Sequence, residues 1–201
     1  GSLSIQSQGV RNLTNLDGSN HGTVVRKTGD GTLSIDGLHI LNGSADQTVG
    51  TYSDVGGGIS CDGQNQLNSA VELTNTGVLL NEGVRGGGIF AAYCDVDILS
   101  QSNVSSNEAE IAGGGVYVRF GTLNIEDSYV ELNDVAPVTT SAQAESYGGG
   151  IYVKDTDVTI LDSLIASNTI ESDGDDYIAR GAGLYLSNSD ATCTSTLSGP
   201  Y

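Results

Sequence analysis

The sequence predicts an all-β fold, a right-handed parallel β-helix of about six coils, from three observations. A glycine-led, apolar-ended block recurs along the chain. A hydrophobic-x-x-Asn block follows most copies at a nearly fixed distance. Between the two, residues alternate apolar and polar with the period of a strand. The glycine blocks begin at Gly56, Gly86, Gly113, Gly148 and Gly181, so their spacings are 30, 27, 35 and 33 residues, with a degenerate copy at Gly22-Thr23-Val24-Val25. Repeats of this length with strands inside each unit signal a solenoid, because a unit buries its apolar face only against its neighbours.

Each coil contains three strand-like pieces. The first follows the glycines: Ile59-Ser60-Cys61, Ile89-Phe90-Ala91, Val116-Tyr117-Val118, Ile151-Tyr152-Val153 and Leu184-Tyr185-Leu186 put aliphatics on one face. The second reads Leu3-Ser4-Ile5, Leu33-Ser34-Ile35, Val71-Glu72-Leu73, Val96-Asp97-Ile98, Leu123-Asn124-Ile125, Val158-Thr159-Ile160 and Ala191-Thr192-Cys193, apolar in and polar out. The third is the hydrophobic-x-x-Asn block, with Val78, Val104, Val130 and Ile165 leading to Asn81, Asn107, Asn133 and Asn168. The segments after each Asn vary in length, as insertions from one side of a solenoid do. Helix signals are absent, and 29 glycines disfavour helices. Strands therefore pair between successive coils, and the chirality of parallel connections sets a right hand.

The 201 residues read as one domain, a portion of a longer protein or a subunit that stacks. With 25 acidic and 7 basic residues the net charge is -18, which excludes a nucleic-acid partner, since phosphates need a basic footprint. No apolar run is long enough to insert in a membrane as a helix. Three cysteines in a Ser-, Thr-, Asn- and Gly-rich chain point to an extracellular or cell-surface location.

The pairing of Gly-Gly-x-hydrophobic with hydrophobic-x-x-Asn blocks over about residues 21–190 resembles the repeats of polymorphic outer-membrane proteins, the chlamydial-type autotransporter adhesins. The resemblance implies a surface-exposed or secreted adhesive passenger without catalysis. Its partner would be a glycan or a cell-surface protein.

Five asparagines, Asn42, Asn81, Asn107, Asn133 and Asn168, are expected to stack as an amide ladder at one corner. Phe90, Tyr117, Tyr152 and Tyr185 fall at one outward position of four consecutive coils, about 4.8 Å apart. Such a strip either stacks on sugar faces or a partner, or stiffens the sheet beneath the insertions. Glu72 and Asp97, adjacent and outward, have the spacing of a retaining glycosidase pair, of a calcium site or of two solvated acids. Closely spaced carboxylates around a glycine make Asp173, Asp175 and Asp176 the candidate calcium ligands, and calcium the only cofactor suggested.

Beside an adhesin passenger or a structural fibre or stalk module, the alternative function is a carbohydrate-active enzyme, a polysaccharide lyase or glycosidase. Against it, Arg85, Arg119 and Arg180 fall on different coils without an accompanying acidic cluster, and His21 and His39 form no nucleophile–base arrangement. His39 is expected where other coils place Val or Ile. Cys61 and Cys94 fall in the turn after the first strand of consecutive coils and are positioned to bridge, while Cys193 takes an inward slot like Ile160. Because the chain enters and leaves at the same second-strand phase, its open edges predict end-to-end pairing of copies into filaments.

Overall fold

A computed structural model describes residues 1–8, 14–45, 56–65, 68–137, 145–171 and 178–195. Among these the chain is all-β without a helix, and its strands form four parallel sheets. Sheet I holds the strands that follow the glycine blocks: Val25–Thr28, Ile59–Asp62, Ile89–Ala92, Val116–Arg119, Ile151–Lys154 and Leu184–Ser187. Sheet II holds Leu3–Gln6, Gly31–Asp36, Ser69–Thr74, Asp95–Leu99, Thr122–Glu126, Asp157–Leu161 and Ala191–Thr194. Sheet III holds Asn15–Asp17, His39–Leu41, Gly77–Leu79, Asn103–Ser105, Tyr129–Glu131 and Leu164–Ala166. Successive strands visit the sheets in rotation, and each pairs with its equivalent one repeat on.

The register stacks like on like. Val25, Ile59, Ile89, Val116, Ile151 and Leu184 form one continuous file in sheet I. Ile59, Ile89, Val116 and Ile151 are wholly buried, and Val25 and Leu184 pack against the core from its two ends. Sheet II adds Ile35, Leu73, Ile98, Ile125 and Ile160 as a second buried file. Apolar residues at every second position thus meet in a thin central core, and burial of that surface is the main driving force for the fold.

Sheet IV was not among the three strands per coil that the sequence predicts. It comprises Glu82–Arg85, Glu108–Ala112, Asp134–Val135, Glu145–Tyr147, Thr169–Ile170 and Ile178–Arg180. Glu108–Ala112 is one strand, but on its neighbour the pairing splits, Glu108 and Ala109 opposing Asp134 and Val135 while Ala112 opposes Tyr147. The insertion expected after Asn133 therefore leaves from inside this sheet rather than at its end.

Two placements correct the sequence reading. Ile40, not His39, opposes Val78 and is buried; His39 opposes Gly77 on the outer side. That shifts the first third-strand unit by one residue, so Asn42 stands with Leu80, at φ 52° and 57°. Gly43 then takes the position of Asn81, and Asn42 is no rung of the ladder. Cys193 opposes Ile160, as its sequence phase requires, yet it is exposed, because no described strand stacks on the far side of Ala191–Thr194.

Candidate functional site

The asparagine ladder is a fully bonded chain of amides. Asn107 Nδ2 donates to Asn133 Oδ1 at 2.9 Å and to the Val78 carbonyl at 2.9 Å, while the Asn107 backbone N–H donates to the same Oδ1 at 3.1 Å. The pattern repeats from Asn81 to Asn107 and from Asn133 to Asn168. All four side chains are buried, and the Gly43 N–H closes the ladder on Asn81 Oδ1 at 2.8 Å. This set satisfies corner backbone groups that would otherwise be buried without partners.

Cys61 and Cys94 form a disulfide with Cα atoms 6.2 Å apart. Cys61 lies on the Ile59–Asp62 strand rather than in the turn after it, so the bridge sits inside the core, where both residues are buried.

Phe90, Tyr117, Tyr152 and Tyr185 stand in register on four adjacent strands of sheet I. Their rings stack face to face along the axis, with centroids 5.4, 4.9 and 5.6 Å apart in chain order. Of the two arrangements the spacing allowed, the rings take the one in which they stack on one another along the sheet. Each inner face is occupied by the next ring, Phe90 and Tyr117 are buried, and a small second apolar cluster forms with Ala92 and Ala112. Tyr152 and Tyr185, further along the stack, are half-buried.

Beside this stack lies a cleft of about 400 Å³ lined by Arg85, Tyr117, Arg119, Tyr147, Tyr152 and Lys154, with Ile111 and Ala112 in its wall. Sheet IV supplies one side: Arg85, Ala112, Tyr147 and Arg180 follow one another rung by rung. Sheet I supplies the other, where Ala92, Arg119, Lys154 and Ser187 form the column at the strand ends. The glycine turn between the two sheets brings the columns together. Gly113 makes that turn at φ 63°, a conformation open to glycine at little cost. Tyr147 tilts against both Tyr152 and Tyr185 at 5.8 and 4.8 Å, and the Arg119 guanidinium carbon lies 5.7 Å from the Phe90 centroid, a cation–π contact. Arg180 continues the sheet IV column and pairs with Glu145 at 3.8 Å.

Three of the chain's seven basic residues therefore line one cleft in a protein of net charge -18. Partial burial raises the Tyr152 hydroxyl above its ordinary pKa; a hydrogen bond with Ser187 and the Arg85 charge oppose that shift, and Tyr185 and Asp155 add to it. The phenol stays protonated at neutral pH.

Carboxylates gather elsewhere. Glu82, Glu108 and Asp134 stand in register at the opposite end of the sheet IV strands, beside a separate cleft of about 230 Å³. Partial burial, then the charges of Glu82, Asp134, Glu171 and Glu110, hold Glu108 above the ordinary carboxylate range. Glu72 and Asp97 are adjacent in register, and Ser34 donates to Glu72 Oε2 at 2.9 Å. Burial raises the Asp97 carboxyl, Asn124 opposes the rise, and Glu72 and Asp95 reinforce it. Among the described residues no group of three His, Cys, Asp or Glu side chains is placed to hold a metal ion. Asp173, Asp175 and Asp176 lie outside the described residues.

In the sequence the cations of the cleft stand on different coils, and only the stacking of those coils brings them together. The signal was present: Arg85 and Arg180 directly precede glycine blocks, while Arg119 and Lys154 directly follow Val118 and Val153. Equivalent positions on successive coils are neighbours about 4.8 Å apart. The chain matches no protein-family model, no curated protein and no solved structure at a significant level.

Proposed function

We propose that this chain is a right-handed parallel β-helix serving as a non-catalytic module of an extracellular or cell-surface protein, and that it binds its partner sideways through the tyrosine–arginine cleft. All-parallel pairing of equivalent strands supports the right hand, since such connections are almost always right-handed. A core disulfide suits an oxidising compartment. The resemblance of the repeats to adhesin passengers favours the same reading.

The observation that carries the binding role is the gathering of Arg85, Arg119 and Lys154 around Tyr117, Tyr147 and Tyr152. Guanidinium and ammonium groups with phenol donors make a recognition surface. A lyase base would need a lowered pKa, and the shift at Tyr152 runs the other way. The test is to apply the protein to an array of neutral and acidic glycans while following ultraviolet absorbance and reducing ends in solution. Retention without turnover is expected. Accumulating unsaturated sugars would overturn the module reading in favour of a lyase.

A further inference from the structure

We infer that two copies of this chain pair side by side through sheet III, with their stacking axes antiparallel. The two-fold axis runs between the Asn103–Ser105 and Tyr129–Glu131 strands.

Leu80 and Leu132 stand on the corner between sheets III and IV at φ 57° and 56°, a left-handed conformation in which a bulky side chain is an outlier. Each is 58% exposed. Tyr93 and Phe120 hold the same conformation at another corner, but their rings stack on one another at 4.8 Å, so the molecule itself accounts for that pair. The two leucines are kept apart by Ser106, one rung from each, and neither covers the other. Backbone strain and exposed apolar surface at the same two positions mark a contact site.

The side chains of this face are self-complementary. Along the corner the order is Asn42, Leu80, Ser106, Leu132 and Ser167, one residue per rung and about 4.8 Å apart. A second copy turned about the two-fold axis carries this column in reverse, so Leu132 of each copy comes over Ser106 of the other and Leu80 over Ser167. The outward columns of sheet III stay matched under the same rotation. Leu79 comes over Ala166, Tyr129 over Asn103, and Leu164 over Gly77 and the His39 ring that crosses it. Glu131 comes over Ser105 rather than over its own counterpart, so no two carboxylates of the face oppose each other. Each large side chain on these four strands thus finds a small or polar one, as an isologous contact requires.

Charge favours a copy over a foreign partner. With 25 acidic residues and a net charge of -18, two copies repel wherever their carboxylates meet. From the His39–Leu41 strand onward, the strands of sheet III and the corner residues beside them carry one acidic side chain, Glu131, and no lysine or arginine. A foreign partner of so acidic a protein would gain most from basic groups set against carboxylates, and this face offers it little. Four rungs of four residues span about 19 Å by about 13 Å, less than a permanent interface needs, so the pair is reversible. The cleft is built from sheets I and IV and stays open in it.

The test is sedimentation velocity of the Cys193→Ser chain, which lacks the free thiol, from micromolar to millimolar concentration. Salt is set at about 0.01 M and about 1 M, where the Debye length falls from about 30 to about 3 Å. A monomer–dimer equilibrium is expected, tighter in high salt because screening removes the repulsion between copies. Leu80→Ser/Leu132→Ser gives both positions the residue that the neighbouring rungs carry there. It should keep the native circular dichroism and weaken the dimer about tenfold or more. Ile178→Ser, which removes an exposed aliphatic of sheet IV, should leave the dimer unchanged. Ser106→Cys, beside the two-fold axis, should cross-link the pair on mild oxidation, whereas Asn42→Cys, about 24 Å from its own counterpart, should not. A chain that stays monomeric at millimolar concentration in high salt overturns the inference and leaves the leucine face to a foreign partner. Dimers that the serine variant forms equally well, open-ended growth from end-to-end pairing, or cross-linking through Asn42→Cys overturn it too. None of these outcomes bears on the cleft.

Discussion

Gly115 and Asn133 are packed so closely that a Cβ added to the glycine would stand 2.8 Å from the asparagine Nδ2. That nitrogen is committed to the Val104 carbonyl at 2.9 Å and Asn168 Oδ1 at 3.0 Å, so it has no direction in which to move. The same closeness recurs at Gly88 with Asn107 (2.9 Å) and Gly150 with Asn168 (2.7 Å). The two sequence blocks that define each repeat are therefore two halves of one packing unit, in which the glycine makes room for the amide.

Gly115→Ala should destabilise the chain by about 1–3 kcal/mol, the usual cost of forcing a methyl into a filled site. Gly183→Ala, where the added Cβ meets only Ile165 Cγ2 at 3.8 Å, should be close to neutral. Urea denaturation of the two variants makes the comparison.

Removal of a ladder rung should be felt on both sides. Asn107→Ala deprives the Asn81 backbone N–H and Nδ2 of their shared acceptor, at a cost of about 1–3 kcal/mol. Asn42→Gly should have little effect, since Asn42 stands outside the ladder at a positive φ that glycine accepts. Equal melting temperatures for Asn107→Ala and the native chain would count against the ladder.

Glu108 predicts a pH dependence. Its folded carboxyl is held above the unfolded value, so ionisation works against the folded state. The stability it contributes is complete below the unfolded value of about 4.3 and is lost as pH rises through the higher folded value. Glu108→Gln should raise the melting temperature at neutral pH and flatten the gain seen on mild acidification. A variant that melts in parallel with the native chain from neutral pH to the carboxylate range would contradict this.

Thiol titration of unreduced, denatured protein should count one thiol, that of Cys193. Reduction should cost about 3–4 kcal/mol, the chain-entropy value for a closed loop of 33 residues. The Cys61→Ala/Cys94→Ala variant, measured without reductant, should show the same loss.

Alternation made most of the fold legible. Sheets I to III coincide with the predicted strands because every second residue is aliphatic, as in Val116-Tyr117-Val118. Sheet IV was not legible. Glu82-Gly83-Val84-Arg85 and Glu108-Ala109-Glu110-Ile111-Ala112 carry small and charged residues, and their pairing depends on the neighbouring rung rather than on a pattern of their own. The misplaced Asn42 has a related cause, since in His39-Ile40-Leu41-Asn42-Gly43 two consecutive aliphatics allow either phase. For the site, the stacked rings were legible from spacing. The cleft was not, because Tyr147 and Arg85 belong to the sheet that had no pattern.

The Cys61–Cys94 bridge also determines how the molecule responds to tension. A stack of rungs pulled from its two ends should peel one rung at a time, since each is held only by its neighbours. Peeling that reaches this bridge must stop, because the covalent link keeps its loop from paying out. With the cysteines 33 positions apart in sequence and about 3.3–3.6 Å per extended residue, roughly 110 Å of chain stays hidden until a thiol opens the lock. The module would thus extend to one length in an oxidising medium and to a longer one in a reducing medium, with the same amino acids acting as a tether of two settings.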